Sequence, residues 1–291
     1  MVKPHKLALI LILNFMIFGT TPCFADCDYS SLCPEKASGL SSKFEQTVSK
    51  RLGATSLSEY IFERRLKEDL KKATGQNFNV SVKSYSFQDF VHGRFKSINI
   101  SGKDLNIEGA YLTSLELKTL CDFNYVKLDK KPIQFKENMI VGFNIEISDA
   151  DLTKTIHSSG YLDKLNCVNV EGCGITFFKL SGADIKIKNN KLYFTVKITS
   201  QLLLAKPLDV VMATDLKVED GRIVFTKLNL EGLVKGVDLS KVAYQLNAMN
   251  PLAFSLDVLE NKNTKMCIQH VDIINDKIFI KGYIFIPKNK Q

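Results

Sequence analysis

The sequence predicts an α+β protein in which one long antiparallel sheet follows a long helix, and three observations carry that prediction. Apolar and polar residues alternate with a period of two in segment after segment from residue 78 onward. Between these segments stand Asn189-Asn190, Asp220-Gly221 and Asn275-Asp276, dipeptides suited to two-residue hairpins. Helical periodicity interrupts the strands too rarely to supply the crossovers that a parallel sheet needs.

The first 25 residues are expected to lie outside the fold. Lys3, His5 and Lys6 form a basic start, Leu7 to Phe18 an apolar run, and Cys23 and Ala25 occupy the −3 and −1 positions of a cleavage site after Ala25. That pattern is a secretory leader, and its apolar run is shorter than the ~20 residues that cross a bilayer. Residues 26–55, rich in Ser and Gly and holding Cys27 and Cys33, read as an irregular, disulfide-bearing lead-in. Residues 56–291 then form a single domain.

Ser56 with Glu59 fits a capping box, and Gly75 fits a stop, so the spacing predicts a helix over 56–75. Leu57, Tyr60, Ile61, Leu66, Leu70 and Ala73 approximate one apolar stripe, with Arg64, Lys67, Lys71 and Lys72 on the other faces. Such a helix is expected to pack on the sheet, although its basic face also suits a membrane surface. Strands are predicted at 78–84, 94–101, 104–109, 112–120, 140–148, 191–204, 208–219, 222–232, 268–273 and 277–287. Two further helices are expected, over 148–165 behind Ser148 and Asp149, and over 238–251 ending before Pro251.

The last strand is apolar on both faces, with Ile278, Ile280, Ile284 and Ile286 on one and Phe279, Tyr283 and Phe285 on the other. It must therefore be covered twice, by a helix and by more sheet or a ligand. Six cysteines follow the leader, an even number in an exported chain, which implies disulfides. The equal five-residue gaps in CDYSSLC and CVNVEGC favour Cys27–Cys33 and Cys167–Cys173, leaving Cys121 to pair with Cys267. These gaps do not match zinc spacing, so no metal is expected.

The chain carries a formal net charge of +8, with its lysines scattered as Lys127, Lys130, Lys131, Lys136, Lys186, Lys188 and Lys191. Dispersed lysines suit solubility or an anionic surface. No nucleophile elbow, P-loop, zincin helix or dinucleotide fingerprint occurs. His92, His157 and His270 stand far apart in sequence. Neither catalysis, a cofactor nor nucleic-acid binding is expected.

The stretch NVSVKSYSFQDFVHGRFKSINISGKDLNI places Phe87, Phe90 and Phe95 around Gly93-Arg94. It resembles the start of the LmeA-like phospholipid-binding proteins, in which a valine-rich strand leads through an aromatic-bearing loop and a glycine to a second strand. IEISDADLTKTI (145–156), DLKVEDGRIVFTKLNLEG (215–232) and HVDIINDKIFIKGYI also resemble blocks of that family, so the similarity runs over roughly residues 57–286. The six cysteines depart from it. The resemblance implies a fold like the tubular lipid-binding proteins, a long twisted sheet wrapped around a long helix. It further implies a non-enzymatic protein of the periplasm or cell envelope that holds phospholipid acyl chains and touches membrane surfaces transiently.

On that basis Phe143, Ile145, Ile147, Phe194, Val196 and Ile198 are expected to face an apolar channel. Phe87, Phe90 and Phe95 either cap the end of the sheet or form a channel rim, flexible at Gly93, with Arg94 near a phosphate. An interaction module with a solid core is the alternative.

Overall fold

The computed structural model describes residues 30–35, 37–127, 134–161, 178–200, 208–231, 250–257 and 264–289. The leader, Cys27, Cys167, Cys173 and most of the helix expected over 238–251 lie outside the described residues. Pro251, expected to end that helix, instead opens one, α5 (Pro251–Asp257). Proline is at home in a first helical turn, where its missing N–H costs nothing.

The lead-in is not irregular throughout. After a turn of 3-10 helix at Ser30–Leu32 it forms α1 (Lys43–Arg51), which opens on a reciprocal capping box between Ser42 and Glu45. The long helix α2 (Ala54–Thr74) begins two residues before the expected start, with Gly53 as its N-cap and no side-chain cap. Gly75 ends it with φ +73°, donating its N–H to the Lys71 carbonyl, as the sequence predicts. The expected stripe on α2 divides into two faces. Leu66 and Leu70 are buried, whereas Leu57, Tyr60 and Ile61 are exposed. At 3.6 residues per turn Leu57 lies about half a turn away from Leu66, so one face cannot hold both.

The strands expected to form one long sheet are divided among three antiparallel ones. The largest has the order β1 (Asn79–Lys83), β3 (Ser97–Ile107), β4 (Ala110–Thr119), β7 (Met139–Ser148), β13 (Lys277–Ile286), β12 (Lys265–Ile274). The second runs β11 (Arg222–Glu231), β10 (Leu208–Glu219), β9 (Lys191–Ser200), β8 (Phe178–Lys188). A small third sheet joins β2 (Arg94–Phe95), β5 (Asn124–Lys127) and β6 (Gln134–Phe135). Three hairpins turn where predicted, with positive φ at Asn189 and Asn190, at Asp220 and Gly221, and at Asn275 and Asp276. A fourth, at Glu108-Gly109, joins what the sequence suggests are separate strands into the β3–β4 pair.

The division has a local cause. β7 runs directly into α4 (Asp149–Ile156), whose capping box between Ser148 and Asp151 carries the chain off the sheet before β8 begins. α4 then links the two larger sheets. The Thr155 hydroxyl accepts the Tyr111 N–H of β4 at 2.9 Å, and the Thr153 hydroxyl accepts the Ile185 N–H of β8 at 3.2 Å. At the other end the Ile268 N–H of β12 donates to the Gly221 carbonyl at 2.9 Å. One apolar core therefore runs from Leu66 and Leu70 through Phe143, Ile145 and Ile147 to Ile185, Leu192, Phe194 and Phe225.

The second face of β13 is covered only at one end. Phe279 is exposed, while Tyr283 is buried in a smaller core with Cys121, Ile140 and Cys267. The lead-in contributes to the cover, with Leu32 and Cys33 packed there beside Leu120. Cys33 is bonded to Cys121, which excludes the expected Cys27–Cys33 and Cys121–Cys267 pairs. Cys267 is also in a disulfide. Sequence spacing measures the length of a closed loop, whereas pairing follows which Cα atoms approach within reach, here 5.5 Å across a separation of 88 residues.

Candidate functional site

The expected aromatic loop is largely a short helix, α3 (Phe87–Val91), capped by the Ser86 side chain, which accepts the Asp89 N–H at 3.0 Å. Helical geometry sends its phenylalanines in different directions. Phe87 is about half exposed, at 48%. Phe90 packs at the margin of the core, edge-on to Phe62 of α2 with centroids 5.1 Å apart. Phe95, in β2, is buried. So Phe95 is core, Phe90 joins helix to core, and Phe87 alone has the exposure of a rim residue.

Gly93 is not the expected flexible hinge. It is buried with φ +81°, its carbonyl accepts the Val126 N–H at 2.9 Å, and an added Cβ would lie 1.9 Å from the Val126 oxygen. Arg94 follows on β2, paired with Tyr125, and its guanidinium lies 5.0 Å from the centre of the Tyr125 ring. The lead-in also passes close to it, where a Cβ on Gly39 would stand 3.0 Å from a terminal guanidinium nitrogen. The Nε–H is buried without an acceptor, and the guanidinium has no carboxylate partner among the described residues. A half-buried cation in that state has lost hydration without regaining a counter-charge, which is the electrostatic condition for binding an anion.

Asp89 holds this region together. Its carboxylate is buried and accepts the Ser41 N–H at 2.8 Å and the Ser86 hydroxyl at 2.7 Å. The Phe87 N–H donates to Ser49 Oγ of α1 at 3.0 Å, and Ser49 meets Thr55 of α2 at 2.7 Å. α1, α2 and α3 thus form one cluster, with Ser41 and Asp89 joining the lead-in to α3, and the Cys33–Cys121 bond fastens the lead-in to the segment that follows β4.

Most of the exposed apolar bulk lies on this cluster. Of ten large hydrophobic residues exposed among the described residues, eight are here. α1 and its C-cap contribute Phe44, Val48 and Leu52, α2 contributes Leu57, Tyr60 and Ile61, and α3 contributes Phe87 and Val91. The α1 residues, Tyr125 and Gly39 do not figure in the site expected from sequence. Only the α1 set had a signal, the Ser42–Glu45 cap followed by apolar residues four apart.

Of the expected channel residues, Phe143, Ile145, Ile147 and Phe194 are buried together in the main core. The backbones of Val196 and Ile198 pair with Val210 and Leu208, while their side chains lie outside the described residues. Phe143 is closely packed, since a Cβ on Gly282 would stand 2.6 Å from its ring. The histidines are dispersed, His92 and His157 closing α3 and α4 and His270 beside Asp272 on β12. Comparison with family models, curated proteins and solved structures finds no match to this chain.

Proposed function

We propose that this is an exported phospholipid-binding protein, non-enzymatic, which meets the lipid headgroup at the Phe87–Arg94 end of the molecule. One observation carries the reading. Arg94 is stacked on Tyr125, half-buried and without a counter-charge among the described residues, and Phe87, seven residues earlier in the chain, is exposed. A guanidinium offers a phosphate two parallel donors, and an exposed aromatic ring suits the boundary between headgroup and hydrocarbon. The Cys33–Cys121 disulfide fits an oxidising compartment outside the cytoplasm. In this reading the acyl chains reach the apolar layer between the two larger sheets, lined by Phe143, Ile145, Ile147 and Phe194, in a tubular arrangement.

The test is solvent extraction of the purified protein followed by mass spectrometry, alongside binding of a short-chain phosphatidylglycerol by wild type and Arg94→Gln. Bound phospholipid and a roughly tenfold or greater loss of affinity in the variant are expected, the worth of a charge-assisted hydrogen bond. Lipid-free protein with equal affinities would sink the proposal. A second reading, an envelope interaction module with a solid core, is favoured by the close packing of Phe143 against Gly282.

A further inference from the structure

α1 is nine residues long and buries none of them. Isolated helices shorter than about 12–15 residues are marginal in water, so this one depends on its cap, its contact with α2 and whatever covers its apolar stripe. Exposed apolar side chains stand on α2 and α3 as well, while the other exposed large hydrophobics among the described residues, Ile274 and Phe279, lie on the β12–β13 hairpin. Clustering of exposed apolar side chains on neighbouring elements is a mark of an interaction surface.

Charge identifies the occupant. α1 and α2 carry eight lysines and arginines against five carboxylates, an excess of positive charge. Glu45 closes its capping box, Glu63 accepts the Val82 N–H of β1 and Glu59 the Ser84 N–H just beyond it, Glu68 pairs with Arg64, and Asp69 is buried. The basic side chains of Lys43, Lys50, Arg51, Arg65, Lys67 and Lys71 are exposed, and none has a carboxylate partner among the described residues. Exposed apolar side chains on helices with an excess of exposed cations complement an anionic bilayer. A second copy of the chain would set these cations against each other.

We infer that α1, the first half of α2 and α3 form a docking face for bilayers containing anionic phospholipid. The apolar side chains enter the headgroup–hydrocarbon boundary and the cations lie at the level of the phosphates. The face extends the Phe87–Arg94 site and rests on the phospholipid reading only for the kind of surface it meets.

The test is flotation of the full mature chain with phosphatidylcholine vesicles, with and without phosphatidylglycerol. Wild type should float with the anionic vesicles, and added salt should weaken binding. Phe44→Ser with Leu52→Ser should lower binding roughly tenfold or more, as expected for two apolar side chains withheld from hydrocarbon. Ile274→Ser, exposed elsewhere, should not change it. Should the double variant misfold, Leu52→Glu alone serves, because Leu52 is 78% exposed. The inference is overturned if wild type does not float with anionic vesicles, or if a folded α1 variant floats as wild type does. It is equally overturned if the lipid-free protein is a dimer that the variant converts to monomer. Extracted lipid without flotation would leave the phospholipid reading standing and remove the docking face. Flotation without extracted lipid or Arg94-dependent affinity would do the reverse.

Discussion

Glu63 offers a direct test of how the long helix is held. β1 is an edge strand of the six-stranded sheet, and an edge exposes unpaired N–H groups. α2 covers that edge. The carboxylate of Glu63 accepts the Val82 N–H at 2.7 Å, and that of Glu59 accepts the Ser84 N–H at 2.6 Å. Four residues of helix advance about 6 Å and two residues of strand about 6.7 Å, so the two side chains meet alternate N–H groups of an antiparallel neighbour. Val82 is fully buried. In Glu63→Ala its N–H loses a charged acceptor, and burial limits replacement by water, a cost of about 2–3 kcal/mol. Glu63→Gln keeps an acceptor oxygen but not the charge, and should cost about 1 kcal/mol. For a chain of this size 1 kcal/mol moves Tm by roughly 2–4 °C, so Glu63→Ala should melt about 4–12 °C lower. Thermal unfolding followed by circular dichroism measures this, with Glu68→Ala as the exposed control, expected to cost under ~1 kcal/mol. If Glu63→Ala and Glu68→Ala melt together, the carboxylate clamp is not what fastens the helix to the edge.

The three phenylalanines should separate by stability in urea. Phe95→Ala is expected to cost about 3–5 kcal/mol, Phe90→Ala roughly half that, and Phe87→Ser under ~1 kcal/mol. Equal costs at Phe87 and Phe95 would contradict their burial. Peptide mapping without reduction should recover Cys33 joined to Cys121, and a Cys27–Cys33 peptide would refute that pairing. Burial pushes the Tyr161 phenol well above its ordinary range. Tyr85 shifts the same way, through burial and then the nearby Asp122 and Asp89 carboxylates. A raised phenol releases its proton more readily in the unfolded chain, so its contribution is intact below about pH 10 and is lost as pH rises beyond. Tyr161→Phe should therefore flatten the alkaline fall in stability, and an unchanged slope would show that Tyr161 does not contribute.

Local chemistry was legible wherever it acts within a few residues. Asn189-Asn190, Asp220-Gly221 and Asn275-Asp276 turn as expected because their backbones tolerate positive φ, and Gly75 stops α2 for the same reason. Ser148 with its acidic successors marks the start of α4 correctly. Ser42 and Glu45 were equally legible, but composition drew the lead-in toward an irregular reading. β8 escaped notice because Gly182 falls at a register shift that breaks its alternation. α2 begins two residues before its expected start, and its stripe divides because Leu57, Tyr60 and Ile61 share a side of the helix that Leu66 and Leu70 do not.

The chain by itself determined an α+β protein of antiparallel strands, the positions of its hairpins and long helix, and a cysteine content suited to disulfides. These depend on φ preferences, caps and periodicities that operate within one element. Only the tertiary structure decided that the strands divide among separate sheets, that Cys33 reaches Cys121, and that Phe95 is buried while Phe87 is exposed. It also decided that Arg94 rests on Tyr125 without a carboxylate among the described residues, and that large apolar side chains stay exposed on α1, α2 and α3. The reason is that period-two and period-3.6 patterns specify which residues share a face of one element. What covers that face, and which charge lies opposite, depends on segments tens of residues away being brought together in space.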